Sequence, residues 1–517
     1  MIGKKTIVVG LDGAHFELIE PWIEAGHLPN IERAVDNGVT ADLHSVHPPV
    51  TSPNWKAYAT GKNPGKLGIF WWENVDMNEE RVYYPEQRKS RHPEFWEIIG
   101  NHSSAGVINV PTTYPPRNVE PFIVAGAPDA DGSGYTHPER LEKELEERLD
   151  YRVTKSTPIK NQPQKAADEI ADLIDLRFRT AKYLLREYGP EFLQVTTFYL
   201  NSLHHYFWNG NETLEGWKVV DRHLGEFLDQ EYNIVLMSDH GSTEIDTVFH
   251  VNTWLEQQGY LTPDLSVSEA MERIGITTER LVGLSTKLGI QELARQTAPS
   301  WLLNRIPSNG GEVQRESKMS NLNWKETTAL ASGQGPMYID RQVPDYQQVR
   351  SELKKKLMNL TGPNGTKVAA DVHRGEEVYS GPYVEEAPDL IIEQTDGVHI
   401  QGGLGRDEVF SRPENDGWRG ENKGIGLFVA SGPDFNSERL GDVSILDLAP
   451  TMLHLHGCEI PHSLDGKVRN EIYRKSSDAF RREVVFNEQE SMTPHDTQSP
   501  ETDEEVQDRL KDLGYME

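Results

Sequence analysis

The 517-residue chain predicts an α/β fold, a doubly wound and mostly parallel sheet between helices, with cap insertions. Three observations predict it. Its short β-branched runs are continuous rather than alternating, as in strands buried on both faces. They end abruptly in polar, glycine-containing loops. Stretches with a helical pattern lie between them, the alternation that gives a sheet sandwiched by helices.

The strands read as Thr6–Leu11, Phe192–Phe198, Ile234–Ser238 and Leu427–Ala430. The helices read as Pro138–Leu149, Gln164–Tyr188, Val219–Phe227 and Tyr346–Leu360. One α/β domain over residues 1–475 accommodates them, with insertions near 70–95 and 262–324. The first insertion carries Trp71-Trp72, which suits stacking on a base or sugar as well as packing. The second mixes helical pattern with Pro-Ser-Asn-Gly-Gly and suits a cap or lid. Residues 476–517 form an acidic tail, in which Val506–Leu513 suits a short terminal helix.

Composition excludes several classes. The chain has 82 acidic and 52 basic residues, a net charge of −30. That disfavours a nucleic-acid polymer or an anionic membrane as partner. A hydrophobic fraction of 36% excludes global disorder. The single cysteine, Cys458, excludes disulfides within the chain and cysteine-based zinc sites. Any metal must use His, Asp, Glu, Asn or hydroxyls. No run approaches the roughly 20 apolar residues of a membrane span. With no targeting segment visible, a cytoplasmic protein is expected.

Ligands in open α/β sheets bind at the C-terminal ends of the strands. Asp12 follows the first strand, where it can hold a cation or merely close an Asp-Gly turn. Pro48-Pro-Val-Thr-Ser-Pro-Asn54 reads as a helix start, with Pro53 in the first turn and Thr51 or Ser52 as the cap. A hydroxyl there sits where the helix dipole stabilises an alkoxide and a phosphoryl group, and the Asn54 amide is one turn away. The bland alternative is an ordinary capped helix. Asp239-His240 ends the strand at 234–238 and offers one oxygen and one nitrogen ligand, a set that suits zinc or manganese. Asn201-Ser-Leu-His-His205 follows another strand, so His205 can face the same site or simply pack.

In this order the motifs resemble the alkaline phosphatase superfamily, specifically its type I phosphodiesterase/nucleotide pyrophosphatase branch. Ala59-Thr-Gly-Lys-Asn-Pro-Gly, Ala387-Pro-Asp-Leu390, Ala430-Ser-Gly-Pro433, Ser444-Ile-Leu-Asp-Leu-Ala-Pro-Thr451 and the ending Leu510-Lys-Asp-Leu-Gly-Tyr515 carry the resemblance further. The resemblance implies two metals facing a Thr or Ser nucleophile. One metal would be held by Asp12, Thr51, Asp239 and His240, with Thr51 as nucleophile and Asn54 as phosphate-binding residue. The other is normally held by an Asp, a His four residues later and a distant His. Here those positions read Asn201, His205 and Asn422, so two of three ligands have become Asn. The resemblance therefore implies Zn2+ or Mn2+ at the first site and a weak or empty second site, with His205 as base or partial ligand.

The expected activity is metal-dependent hydrolysis of a small phosphoester, nucleotide-linked or sugar-linked, by way of a phosphorylated Thr51. The altered second site leaves two alternatives. One is a transferase that passes the phosphoryl group to another acceptor. The other is a non-catalytic phosphoester-binding protein on the same fold.

Overall fold

A computed structural model describes residues 5–85, 91–130, 132–263, 322–414, 417–487 and 509–515. The central sheet has nine strands. In chain order they are β1 (Thr6–Leu11), β2 (Val39–His44), β3 (Ala105–Ile108), β4 (Pro121–Val124), β5 (Thr136–His137), β6 (Phe192–Thr197), β7 (Asn233–Met237), β8 (Ile425–Ser431) and β9 (Val443–Ser444). Across the sheet they run β9-β2-β8-β7-β1-β6-β3-β4-β5. β1 lies in the middle, parallel to both β6 and β7. β8 is antiparallel to β7 and β2, and β5 is antiparallel to β4.

β1 shows why the apolar runs are continuous. Ile7, Val9 and Leu11 enter one core, while Val8 enters the core on the opposite face. Alternate side chains of a strand point to opposite faces, so a strand covered on both sides must be apolar throughout. Helices Pro163–Tyr188 and Asn211–Leu228 cover the first face; Thr51–Thr60 and Leu448–Leu455 cover the second.

Most predicted elements are present, with ends moved by a residue or two. The exception is the helix expected at Val219–Phe227, which starts eight residues earlier, at Asn211. Its polar first turn and Gly216 conceal that start in the sequence.

A second, four-stranded antiparallel sheet has the order Ala329–Ala331, Pro336–Ile339, Leu390–Gln394, Ala369–Arg374. It has its own apolar core, and Val75 of the 70–95 insertion packs into it. That insertion forms a hairpin, Asn74–Asp76 against Arg81–Tyr83. Of the 262–324 insertion, residues 264–321 lie outside the described residues, as does the tail from 488 to 508. Residues 509–515 return to the body of the protein as a helical turn. The Trp418 indole donates to the Leu513 carbonyl at 3.1 Å, the Arg509 guanidinium donates to the Asp129 carbonyl at 3.0 Å, and Lys155 pairs with Asp512.

Candidate active site

The strand ends converge as the α/β rule requires. Asp12 comes from β1 and Asp239-His240 from β7, the immediate neighbour of β1. Thr51 opens the helix that follows β2. All four side chains are buried. The Thr51 hydroxyl lies 3.5 Å from Asp12 Oδ1 and 3.4 Å from His240 Nε2. His240 Nε2 is 3.2 Å from Asp239 Oδ2 and 3.7 Å from Asp12 Oδ1. The two carboxylates and the imidazole can each aim one ligand atom at a common point.

Thr51 is not a cap. It is the first residue of its helix, Val50 is the N-cap, and no side chain caps the helix. The hydroxyl is thereby left to face Asp12 and His240. Gly13 allows this crowding, because it adopts a φ of +72° and a Cβ there would collide with Asn201 Oδ1.

The electrostatics describe a site short of positive charge. Burial pushes the Asp12 carboxyl well above the usual range, and repulsion from Asp239 adds to the shift. Hydrogen bonds from Trp55, Thr51 and Asn201 oppose it. Burial also raises Asp239, against attraction from His240. Among the described residues, Asp239 Oδ2 is a buried oxygen with no hydrogen-bond donor. Two repelling carboxylates, a bare oxygen and an adjacent imidazole fit a divalent cation such as zinc or manganese.

Asn54 is engaged with the backbone of the preceding loop. Its amide nitrogen donates to the carbonyls of Pro48 at 2.9 Å, Val50 at 3.0 Å and Val46 at 3.3 Å. Its oxygen accepts from the Val46 amide at 2.7 Å. The side chain is a staple for the loop that delivers Thr51, and both amide protons are already directed at backbone oxygens.

Asn201, His205 and Asn422 also come together. Asn422 reaches them because Gly420–Lys423 pairs antiparallel with Gly241–Glu244, placing Asn422 opposite Ser242. The Asn201 amide nitrogen lies 3.0 Å from His205 Nε2 and 3.4 Å from Asn422 Oδ1. His205 Nδ1 meets the Gly420 carbonyl at 2.7 Å. Burial lowers its pKa to about 3, although the Gly420 carbonyl and Glu421 act the other way. Nε2, the atom a base would use, faces the Asn201 amide and the Tyr515 hydroxyl.

Sequence reasoning missed two residues. Trp55 donates its indole N–H to Asp12 Oδ2 at 2.8 Å. Its position four residues after Thr51, on the same helix face, is the available signal. Tyr515 brings its hydroxyl to within 3.2 Å of the Asn201 amide nitrogen and 3.3 Å of His205 Nε2. Its only trace in the sequence is its place in the terminal motif. Trp72 packs on the Tyr515 ring and Trp71 donates to Gln334 at 3.2 Å. Both indoles are buried. Trp72 is therefore a packing residue, while Trp71 lines a cavity of about 110 Å³ together with Leu330, Gln334, Trp418 and Tyr515.

The sheet with β1 at its centre has an alkaline-phosphatase-like fold, and a Thr–Asp–Asp–His cluster stands at its strand ends. Residues 6–422 match the family model described as type I phosphodiesterase / nucleotide pyrophosphatase, and the chain belongs to that family. It is a family of phosphoester hydrolases. Solved structures with this fold include phosphonoacetate hydrolase from Sinorhizobium meliloti 1021 in complex with phosphonoformate, with 15% identity and a TM-score of 0.52 over 86% of this chain and 94% of that one. The same enzyme in complex with phosphonoacetate gives 16% identity and a TM-score of 0.51 at the same coverage. No curated protein matches the chain significantly in sequence. Among the described residues, no helix is long and apolar enough to cross a membrane.

Proposed function

We propose that the chain is a cation-dependent phosphoester hydrolase, a phosphodiesterase acting on a small molecule, with Thr51 as its nucleophile. The observation that carries this reading is the Thr51 hydroxyl placed 3.5 Å from Asp12 and 3.4 Å from His240 in a fully buried cluster. Asp12, Asp239, His240 and Thr51 would hold a divalent cation, zinc or manganese, which when bound supplies positive charge that eases ionisation of a hydroxyl. Asp12 orients the hydroxyl, and Trp55 keeps Asp12 in place. Thr51 stands at a helix N-terminus, whose dipole favours an anionic oxygen. Its oxygen attacks phosphorus in line, the P–Oγ bond forms, and the bond to the departing alcohol breaks. Water then takes the phosphoryl group and Thr51 is regenerated. The acidic surface and the buried single cysteine support a cytoplasmic setting and a small substrate rather than a nucleic-acid polymer.

The neutral second cluster favours a second reading, a protein that binds phosphoesters without turning them over. One experiment separates the two. Purified protein loaded with zinc or manganese is assayed on an aryl phosphodiester and an aryl phosphomonoester, alongside Thr51→Ala and Asp239→Asn. Hydrolysis abolished by both substitutions supports the enzyme. Tight binding without turnover, unchanged by Thr51→Ala, supports the binding protein.

A further inference from the structure

We propose that Tyr515 takes the place of the second cation: its hydroxyl, held between Asn201 and His205, gives a phosphoryl oxygen the stabilisation that a second metal would otherwise supply. This rests on Thr51 as the attacking group.

The donor set itself does not fit a second divalent cation. Asn201, Asn422 and neutral His205 bring no negative charge to a buried position, and burying uncompensated charge is costly. Orientation argues the same way. The Gly420 carbonyl accepts from Nδ1–H of His205, which leaves Nε2 as a bare acceptor. The groups turned toward that lone pair are the Asn201 amide at 3.0 Å and the Tyr515 hydroxyl at 3.3 Å. Flipping the Asn201 amide would set its oxygen against the same lone pair, so this tautomer fixes the amide's direction. The Asn201 amide and the Tyr515 hydroxyl thus both stand at the position, turned toward the one Nε2 lone pair.

Tyr515 is held there by its surroundings. Gly514 takes a φ of +83°, and a Cβ at that position would collide with the Trp418 indole. Trp418 stacks on His205 at 3.6 Å between ring centres and meets Tyr515 edge-on at 5.2 Å. Trp72 closes another side at 5.1 Å. The hydroxyl adjoins the Thr51 cluster through Asn201, whose Oδ1 accepts from the Ser242 hydroxyl that also reaches the Gly13 carbonyl, next to Asp12. Tyr515 also lines the cavity that Trp71 and Leu330 border. A phosphoester that approaches Thr51 from this cavity meets the Tyr515 hydroxyl first. A rotation of the phenol makes room, and the hydroxyl stays hydrogen-bonded to a phosphoryl oxygen. Its proton remains on Tyr515 throughout.

The test combines metal counting with kinetics. After loading with excess zinc and desalting, the wild type is expected to retain one zinc per chain and Asp239→Asn none. Asn201→Asp/Asn422→His should still retain one, because the Tyr515 hydroxyl remains in place. Adding Tyr515→Ala to that pair should raise the count to two. Tyr515→Phe removes a single oxygen; it should keep one zinc and lower kcat on an aryl phosphodiester about 100-fold or more, with KM changed less than about threefold. Two zinc ions in the wild type or in the double variant, one in the triple variant, or an unchanged or faster Tyr515→Phe would overturn the proposal. If Thr51→Ala keeps the wild-type rate, the nucleophile reading fails on its own, and the zinc counts still judge Tyr515.

Discussion

Replacing Asn54 by Ala separates a staple from a phosphate ligand. The substitution takes partners from the Val46 amide and from the Pro48 and Val50 carbonyls, all bonded at 2.7–3.0 Å. The side chain is fully buried, so water cannot readily replace it. The Pro48 and Val50 carbonyls keep backbone donors from Val50 and Asn54, so the loss comes chiefly from the buried Val46 amide and is about 3 kcal/mol, the upper end of the usual range for one stranded group. A chain of this length has an unfolding entropy on the order of 1.1 kcal/mol per kelvin, so a single cooperative transition should drop by about 3 °C. Differential scanning fluorimetry resolves that shift. Activity should fall through kcat, because the loop that positions Thr51 loosens. Asn54→Asp should be at least as damaging at neutral pH, since a carboxylate would face the same carbonyl oxygens. An Asn54→Ala protein with unchanged melting, and with weakened vanadate binding instead, would refute the staple and restore the phosphate contact.

Three further outcomes are expected. Asp239→Asn should abolish zinc binding yet raise the melting temperature of the cation-free chain at pH 7. The folded-state pKa of Asp239 is raised, so its ionised form destabilises the fold above the ordinary carboxylate range, and a lower melting temperature would contradict this. Trp55→Phe should weaken zinc binding about tenfold or more, by removing the indole bond that stabilises ionised Asp12, and should move the pH midpoint of zinc binding upward; calorimetry at pH 6 and pH 8 checks both. Burial raises the Glu169 carboxyl, but hydrogen bonds from Ser156 and Thr157 outweigh it and hold the pKa at about 2. Its stabilisation is therefore complete above the unfolded carboxylate pKa and disappears as pH falls through about 2. Glu169→Gln should be less stable than wild type at pH 7 and equal to it near pH 2; a pH-independent difference would argue against the ionised carboxylate as the cause.

Much of this was legible in the chain itself, for physical reasons that differ from element to element. β1 could be read because both of its faces are buried, which leaves an uninterrupted apolar run. Asp12 and Asp239-His240 could be read because polar residues directly after such runs fall at the edge of the sheet where ligands bind. The capping role drawn for Thr51 was wrong because the hydroxyl faces Asp12 and His240 rather than the helix amides. The backbone contacts of Asn54 were hidden for another reason. Its partners are backbone groups of a neighbouring loop, and backbone groups leave no mark on residue identity. Tyr515 was the hardest to place. It meets Asn201 across 314 positions, through a turn at Gly514 and a wall of aromatic rings that no local pattern encodes.

The strand order also bears on how the molecule is made. Thr6 pairs with Phe192 on one side and Asn233 on the other, so β1 lies at the centre of a sheet whose nearest neighbours are translated much later. At about 5–20 residues per second, β1 waits on the order of 10–40 s for its first partner. Throughout that interval an all-apolar segment leaves the ribosome with both edges unpaired, a strong substrate for chaperones. Refolding from denaturant should accordingly be slow and should lose yield as protein concentration rises, because intermolecular pairing at β1 competes with the distant strands of its own chain.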